Sequence, residues 1–138
     1  MSLDLYLKET AHLARQQSAL LEGARDMLQR GEKLTPLEES GVLHALQILI
    51  ENAIGKTKQT LKIANEPVPA SAYDAFEALT RIGQLPSDHL PRWMAIIGLR
   101  NRIVHEYMNI DIGRVLQLIE EENYKIVVDF LLSPINDN

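Results

Sequence analysis

Apolar residues recur along this chain at intervals of three and four, the spacing of helices with one buried side. Leu3, Leu7, Ala14, Leu21 and Leu28 repeat in heptad steps, and Tyr6, Leu13, Leu20 and Met27 run beside them. That pattern predicts a long first helix with one broad apolar face. "RGEKL" ends it, with Gly31 suited to the left-handed conformation that stops helices. "TPLEE" is a start signal: Thr35 caps, Pro36 fits the first helical position, and Glu38 completes a capping box.

The second helix is expected to reach Ala64, with Leu43, Leu46, Ile50, Ala53, Ile54 and Leu61 inward. "NEPVPA" breaks it, because two prolines cannot sit in a helix interior. Ser71 with Asp74 opens a third helix, packed through Phe76, Leu79 and Ile82. "GQLPSDHLP" reads as a loop or a short helical turn. A fourth helix begins near Pro91, and "NID" (Asn109 to Asp111) caps a last one running to about Leu132. Strand alternation and hairpin turns are nearly absent. The expected fold is all-α: an antiparallel bundle of four main helices plus short helical turns, one domain over residues 1–138.

Composition narrows the chemistry. The chain has no cysteine, which excludes disulfides, thiol nucleophiles and Cys-ligated metals. His12, His44, His89 and His105 are scattered without metal-ligand spacing, so no metal site is expected. The seven glycines form no phosphate-cradling loop, so the chain does not read as a nucleotidyltransferase or P-loop protein, and no cofactor is expected. The charged N-terminus lacks a signal-peptide core, and "WMAIIGL" is far shorter than the ~20 residues that cross a bilayer. A cytoplasmic protein with no membrane partner is the expectation.

The net charge of −5 argues against a general nucleic-acid coat. The local balance differs. From His89 to Tyr107 the chain holds Arg92, Arg100 and Arg102 against Glu106 alone, a positive site suited to one phosphate. "EEEN" at Glu120 to Asn123 reads as a solvated helix face. Trp93 and Met94 read as core or dimer contact.

The informative stretch is "GLRNRIVHEYMNID", Gly98 to Asp111, where an apolar helix carries Arg100, Asn101, Arg102, His105, Glu106 and Tyr107. Asn101 and His105, four apart, share a face, and Arg100 and Tyr107, seven apart, share another. Arg100 and His105 sit about 140° from each other, so a regular helix does not aim both at one atom. Either the helix breaks between them, or a second copy of the chain supplies the missing partner. The residue types suit a phosphodiester. Arginine's planar fork matches phosphate oxygens, and histidine gives or takes a proton near neutral pH. In RNA the 2′-hydroxyl is a built-in nucleophile, so activating it and stabilising the phosphorane cuts the strand without a metal.

"RNRIVHEY" on an all-α chain of this size resembles the HEPN superfamily, with its Arg-x4-6-His motif and a polar residue directly after the arginine. The fuller Arg-x4-His-x-Tyr form, filled here by Arg100, His105 and Tyr107, resembles the HepT toxin branch. That branch occurs in two-gene modules with a minimal nucleotidyltransferase (MNT) antitoxin. The resemblance implies a metal-independent endoribonuclease toxin acting on tRNA or mRNA. Arg100 would hold the scissile phosphate, His105 would be general base or acid, and Asn101 would orient His105 or the phosphate. Arg102 would be an auxiliary RNA contact. Such sites form where two protomers meet, implying a homodimer or higher even oligomer. Tyr107 would be the residue that the antitoxin AMPylates. A second reading is a non-catalytic helical substrate-binding subunit of a nucleotidyltransferase.

Overall fold

The computed structural model describes residues 2–135. Among these residues six α-helices follow one another: α1 Leu3–Gln29, α2 Pro36–Ile63, α3 Ala72–Arg81, α4 Leu90–His105, α5 Ile112–Glu120 and α6 Lys125–Leu132. Single 3₁₀ turns at Ser87–His89 and Tyr107–Asn109 bracket α4, and no strand occurs among the described residues.

The ends of these helices are made by short-range hydrogen bonds. Thr35 Oγ1 accepts from the Glu38 amide at 3.1 Å, and Glu38 Oε1 accepts from the Thr35 amide at 2.8 Å, a complete capping box. Ser71 caps α3 and Asp111 caps α5 in the simpler one-bond form. Gly31 takes φ +79°, letting its own N–H reach Leu28 O and the Glu32 N–H reach Met27 O, both at 3.0 Å. These two bonds satisfy carbonyls that α1 would otherwise leave bare.

The same stop recurs at Glu122, and it overturns the expectation of one uninterrupted last helix. Glu122 has φ +58°, and its N–H and that of Asn123 bond back to Ile119 O and Leu118 O. Glu120 to Asn123 is therefore the joint between α5 and α6, not a solvated helix face. A left-handed glutamate is disfavoured, so something must hold it. Its carboxylate pairs with Lys125 and, at 2.9 Å, with Arg25 of α1, while Arg25 Nε donates to Glu120 O. Lys125 first, then Arg25, hold that carboxyl below the usual carboxylate range.

α2 is the centre of the molecule, with α1, α3, α4 and α6 all packed against it. The six residues expected to point inward from it are all buried. α1 is more peripheral than its pattern suggests: Ala14 and Leu21 are buried, whereas Leu20 is exposed. Trp93 belongs to the core. It stacks on Phe76 at 4.6 Å and meets Phe130 edge-on at 5.2 Å.

Among the described residues one charged side chain lies in this interior. Lys56 of α2 is 1% exposed, donates to Phe130 O at 2.6 Å and to Ser133 O, and lies 5.1 Å from the Phe130 ring centre. It caps the carbonyls at the end of α6 and so ties the last helix to the central one. Burial pushes the ammonium from 10.5 down to about 8. Between those values the unfolded chain keeps a proton that the folded chain has lost, so stability rises with pH across that window. Tyr6 and Tyr124, whose hydroxyls burial pushes up, act in the opposite sense only near and above their usual range. Urea unfolding of the parent should therefore show stability increasing from pH 7 to 9.5, a range set by these shifts. Lys56→Met should lose that slope, and should be less stable throughout by roughly 1–3 kcal/mol because the carbonyls lose their donor. Equal slopes in the two proteins would contradict the assignment.

Candidate functional site

α4 starts from the 3₁₀ turn with Pro91 in its first turn and buries Trp93, Ile97 and Ile103 against the core. It then continues unbroken through Arg100, Asn101 and Arg102 to His105. A break between Arg100 and His105 is thus not how this chain reconciles their directions, and within one protomer the two side chains leave α4 about 140° apart.

The helix stops immediately afterwards. Glu106 has φ −133° and ψ +33°, and Tyr107–Asn109 form a separate 3₁₀ turn. The expectation that Tyr107 shares a helical side with Arg100 is therefore corrected: the backbone between them leaves the α-helical path. The Tyr107 hydroxyl reaches α2, where it lies 3.0 Å from Ser40 Oγ.

Arg100 is half-buried and is positioned by two neighbours. Its Nη1 donates to Asn101 Oδ1 at 2.9 Å, and its Nε lies 3.8 Å from Glu51 Oε1 on α2. The same carboxylate oxygen accepts from Gln47 Nε2 at 2.9 Å. Arg100 Nε is buried yet makes no hydrogen bond of its own. Asn101 therefore orients Arg100, and no bond joins it to His105 among the described contacts. His105, the last residue of α4, is exposed.

Arg102 lies roughly 200° around α4 from Arg100, on the side that faces α5. There it lines a cleft of about 290 Å³ with Arg92 and Arg114 above an apolar floor that includes Leu46, Leu49 and Ile119. The structure brings Arg100 and Asn101 together, places Tyr107 on Ser40, leaves His105 open, and sends Arg102 to another face. Among the described residues no group of three His, Asp or Glu side chains gathers that could hold a metal ion.

Ser40, Gln47 and Glu51 were not singled out by sequence reasoning. The signal was present: Ser40, His44, Gln47 and Glu51 follow steps of four, three and four, a polar stripe beside the buried apolar side of the helix. Of the apolar residues on α4, Ile97 and Ile103 are spent in the protomer's own core. Ile96 is half-buried against that core, and Val104 is 43% exposed.

The model of the HepT-like family, described as ribonuclease HepT-like, matches residues 14–131, which include all of α2 to α5 and the whole polar string on α4. A tri-AMPylated HEPN toxin from Shewanella oneidensis, solved in complex with MNT antitoxin, superposes with a TM-score of 0.76. That match covers 91% of this chain and 96% of that one at 17% identity, a likeness of fold. Comparison with curated proteins gives no match. By that family match over most of its length, the chain belongs to the HepT-like ribonuclease family.

Proposed function

We propose that this chain is the metal-independent endoribonuclease toxin of a two-gene toxin–antitoxin module, cutting tRNA or mRNA at a site shared by two protomers. The observation that carries the reading is the unbroken α4: Arg100 and His105 diverge on one helix, so a second α4 brings an arginine and a histidine to one phosphate. Val104, 43% exposed on the same helix, gives that second copy an apolar contact.

In such a cleft the chemistry follows from the side chains. His105 takes the proton of the RNA 2′-hydroxyl, the 2′-oxygen bonds to phosphorus, and the bond to the 5′-oxygen breaks as that oxygen gains a proton. Arg100 stabilises the charge of the crowded phosphorane. Its link to Glu51, at 3.8 Å and without a hydrogen bond, leaves the guanidinium weakly paired, so phosphate oxygens compete for it. Asn101 keeps the fork in its plane. Arg102, on the far side of α4, serves RNA further along its path.

Cleavage should persist in EDTA, and His105→Ala should slow it by roughly 10²–10⁴. Arg100→Lys should fail as well, because a point charge does not reproduce a bidentate fork. Gel-based cleavage assays on both variants check this, and parental rates in both would place the activity elsewhere.

The antitoxin of the module is a nucleotidyltransferase that transfers AMP from ATP to Tyr107. The solved relative is an AMPylated toxin bound to MNT antitoxin, and Tyr107 of this chain presents its ring to solvent at 48% exposure. An AMP group there adds negative charge and bulk next to the end of α4 and opposes RNA phosphates. Co-expression with the neighbouring nucleotidyltransferase should raise the intact mass by AMP increments that map to Tyr107. Tyr107→Phe should stay unmodified. Equal neutralisation of Tyr107→Phe, with no mass change on the parent, would point to inhibition by complex formation.

A further inference from the structure

The turn after α4 meets α2 through a pair of hydroxyls, Tyr107 Oη and Ser40 Oγ, 3.0 Å apart. On either side stand the two most exposed large apolar side chains among the described residues: Met108 at 91% and Leu37 at 83%. Met108 follows Tyr107 directly. Leu37 lies one turn before Ser40 on the same side of α2. Single exposed apolar residues are ordinary on a protein surface. Here two of them, from separate segments, flank one presented hydroxyl.

We propose that Ser40 is a positioning residue for nucleotide transfer to Tyr107, and that Leu37 and Met108 form the apolar seat of the transferring nucleotidyltransferase. This rests on Tyr107 being the acceptor. In the transfer, the phenolic oxygen bonds to the α-phosphorus of ATP and the bond to pyrophosphate breaks. Pyrophosphate leaves, and the phenolic proton passes to the transferase or to water. A hydrogen bond to Ser40 fixes the ring and turns the oxygen's open side outward, toward the incoming phosphorus. Once esterified, that oxygen can only accept, so Ser40 becomes the donor and the contact survives modification. RNA cleavage makes no use of this pair: Ser40 and Tyr107 touch neither Arg100 nor His105 through any described hydrogen bond.

The test measures initial rates of AMP transfer by intact mass, with purified toxin, the neighbouring nucleotidyltransferase and ATP, as toxin concentration is varied. Ser40→Ala should lower the saturating rate by roughly 3- to 10-fold, the worth of one hydrogen bond, and Ser40→Thr should restore it. The double variant Leu37→Ser, Met108→Ser should raise the KM for toxin about tenfold, with the saturating rate within about twofold of the parent. All of these variants should cut RNA like the parent when the transferase is absent, which also establishes that they fold. A parental saturating rate for Ser40→Ala overturns its positioning role, and a parental KM for the double variant overturns the seat. A parent toxin that takes up no AMP, or takes it elsewhere than Tyr107, overturns the acceptor reading itself and this inference with it.

Discussion

α1, α3, α4 and α6 all pack against α2, and beside its buried side that helix carries a strip of polar side chains. Ser40, His44, Gln47 and Glu51 lie on that strip, and it is the strip that meets the polar end of α4. The helix that builds the core thus also positions the candidate chemistry. Lys56 extends the same dependence to the far end of the chain, since its ammonium caps carbonyls at the end of α6. A charge held this deep is costly unless its hydrogen bonds are satisfied, and here the carbonyls of α6 satisfy it.

The strip explains a difference between the two halves of the motif. Arg100 faces Glu51 and is half-buried, oriented by Asn101 and restrained by a carboxylate. His105 sits where α4 runs out and is open to solvent. A permanent cation benefits from being pre-oriented, because its planar fork must match two oxygens at once. A proton-transfer group without such a framework needs its surroundings completed by something else. In the proposed enzyme a second α4 and the RNA complete them.

Much of the fold was legible because its signals are local. The capping box at Thr35 and Glu38, the stop at Gly31 and the proline break after Ala64 depend on neighbours in sequence, and each was found where residue type placed it. The split between α5 and α6 was not legible. Nothing in "EEEN" announces a left-handed glutamate, and the side chain that helps to hold it, Arg25, comes from a helix almost a hundred residues earlier. The candidate site divides the same way. Arg100, Asn101, His105 and Tyr107 stood out as polar residues in an apolar string, whereas Ser40 and Glu51 matter only through contacts across the bundle.

Whether one phosphate is worked on by an arginine and a histidine from different copies can be measured directly. Arg100→Ala and His105→Ala proteins, each inactive alone, are mixed and allowed to exchange subunits, and RNA cleavage is followed. If the site is shared, every mixed dimer contains one arrangement with both residues intact. Random exchange then restores about a quarter of the parental activity, as expected for a two-fold interface with half the dimers mixed and half their sites whole. A mixture that stays inactive after exchange has been verified by mass would contradict the shared site and return both residues to a single chain.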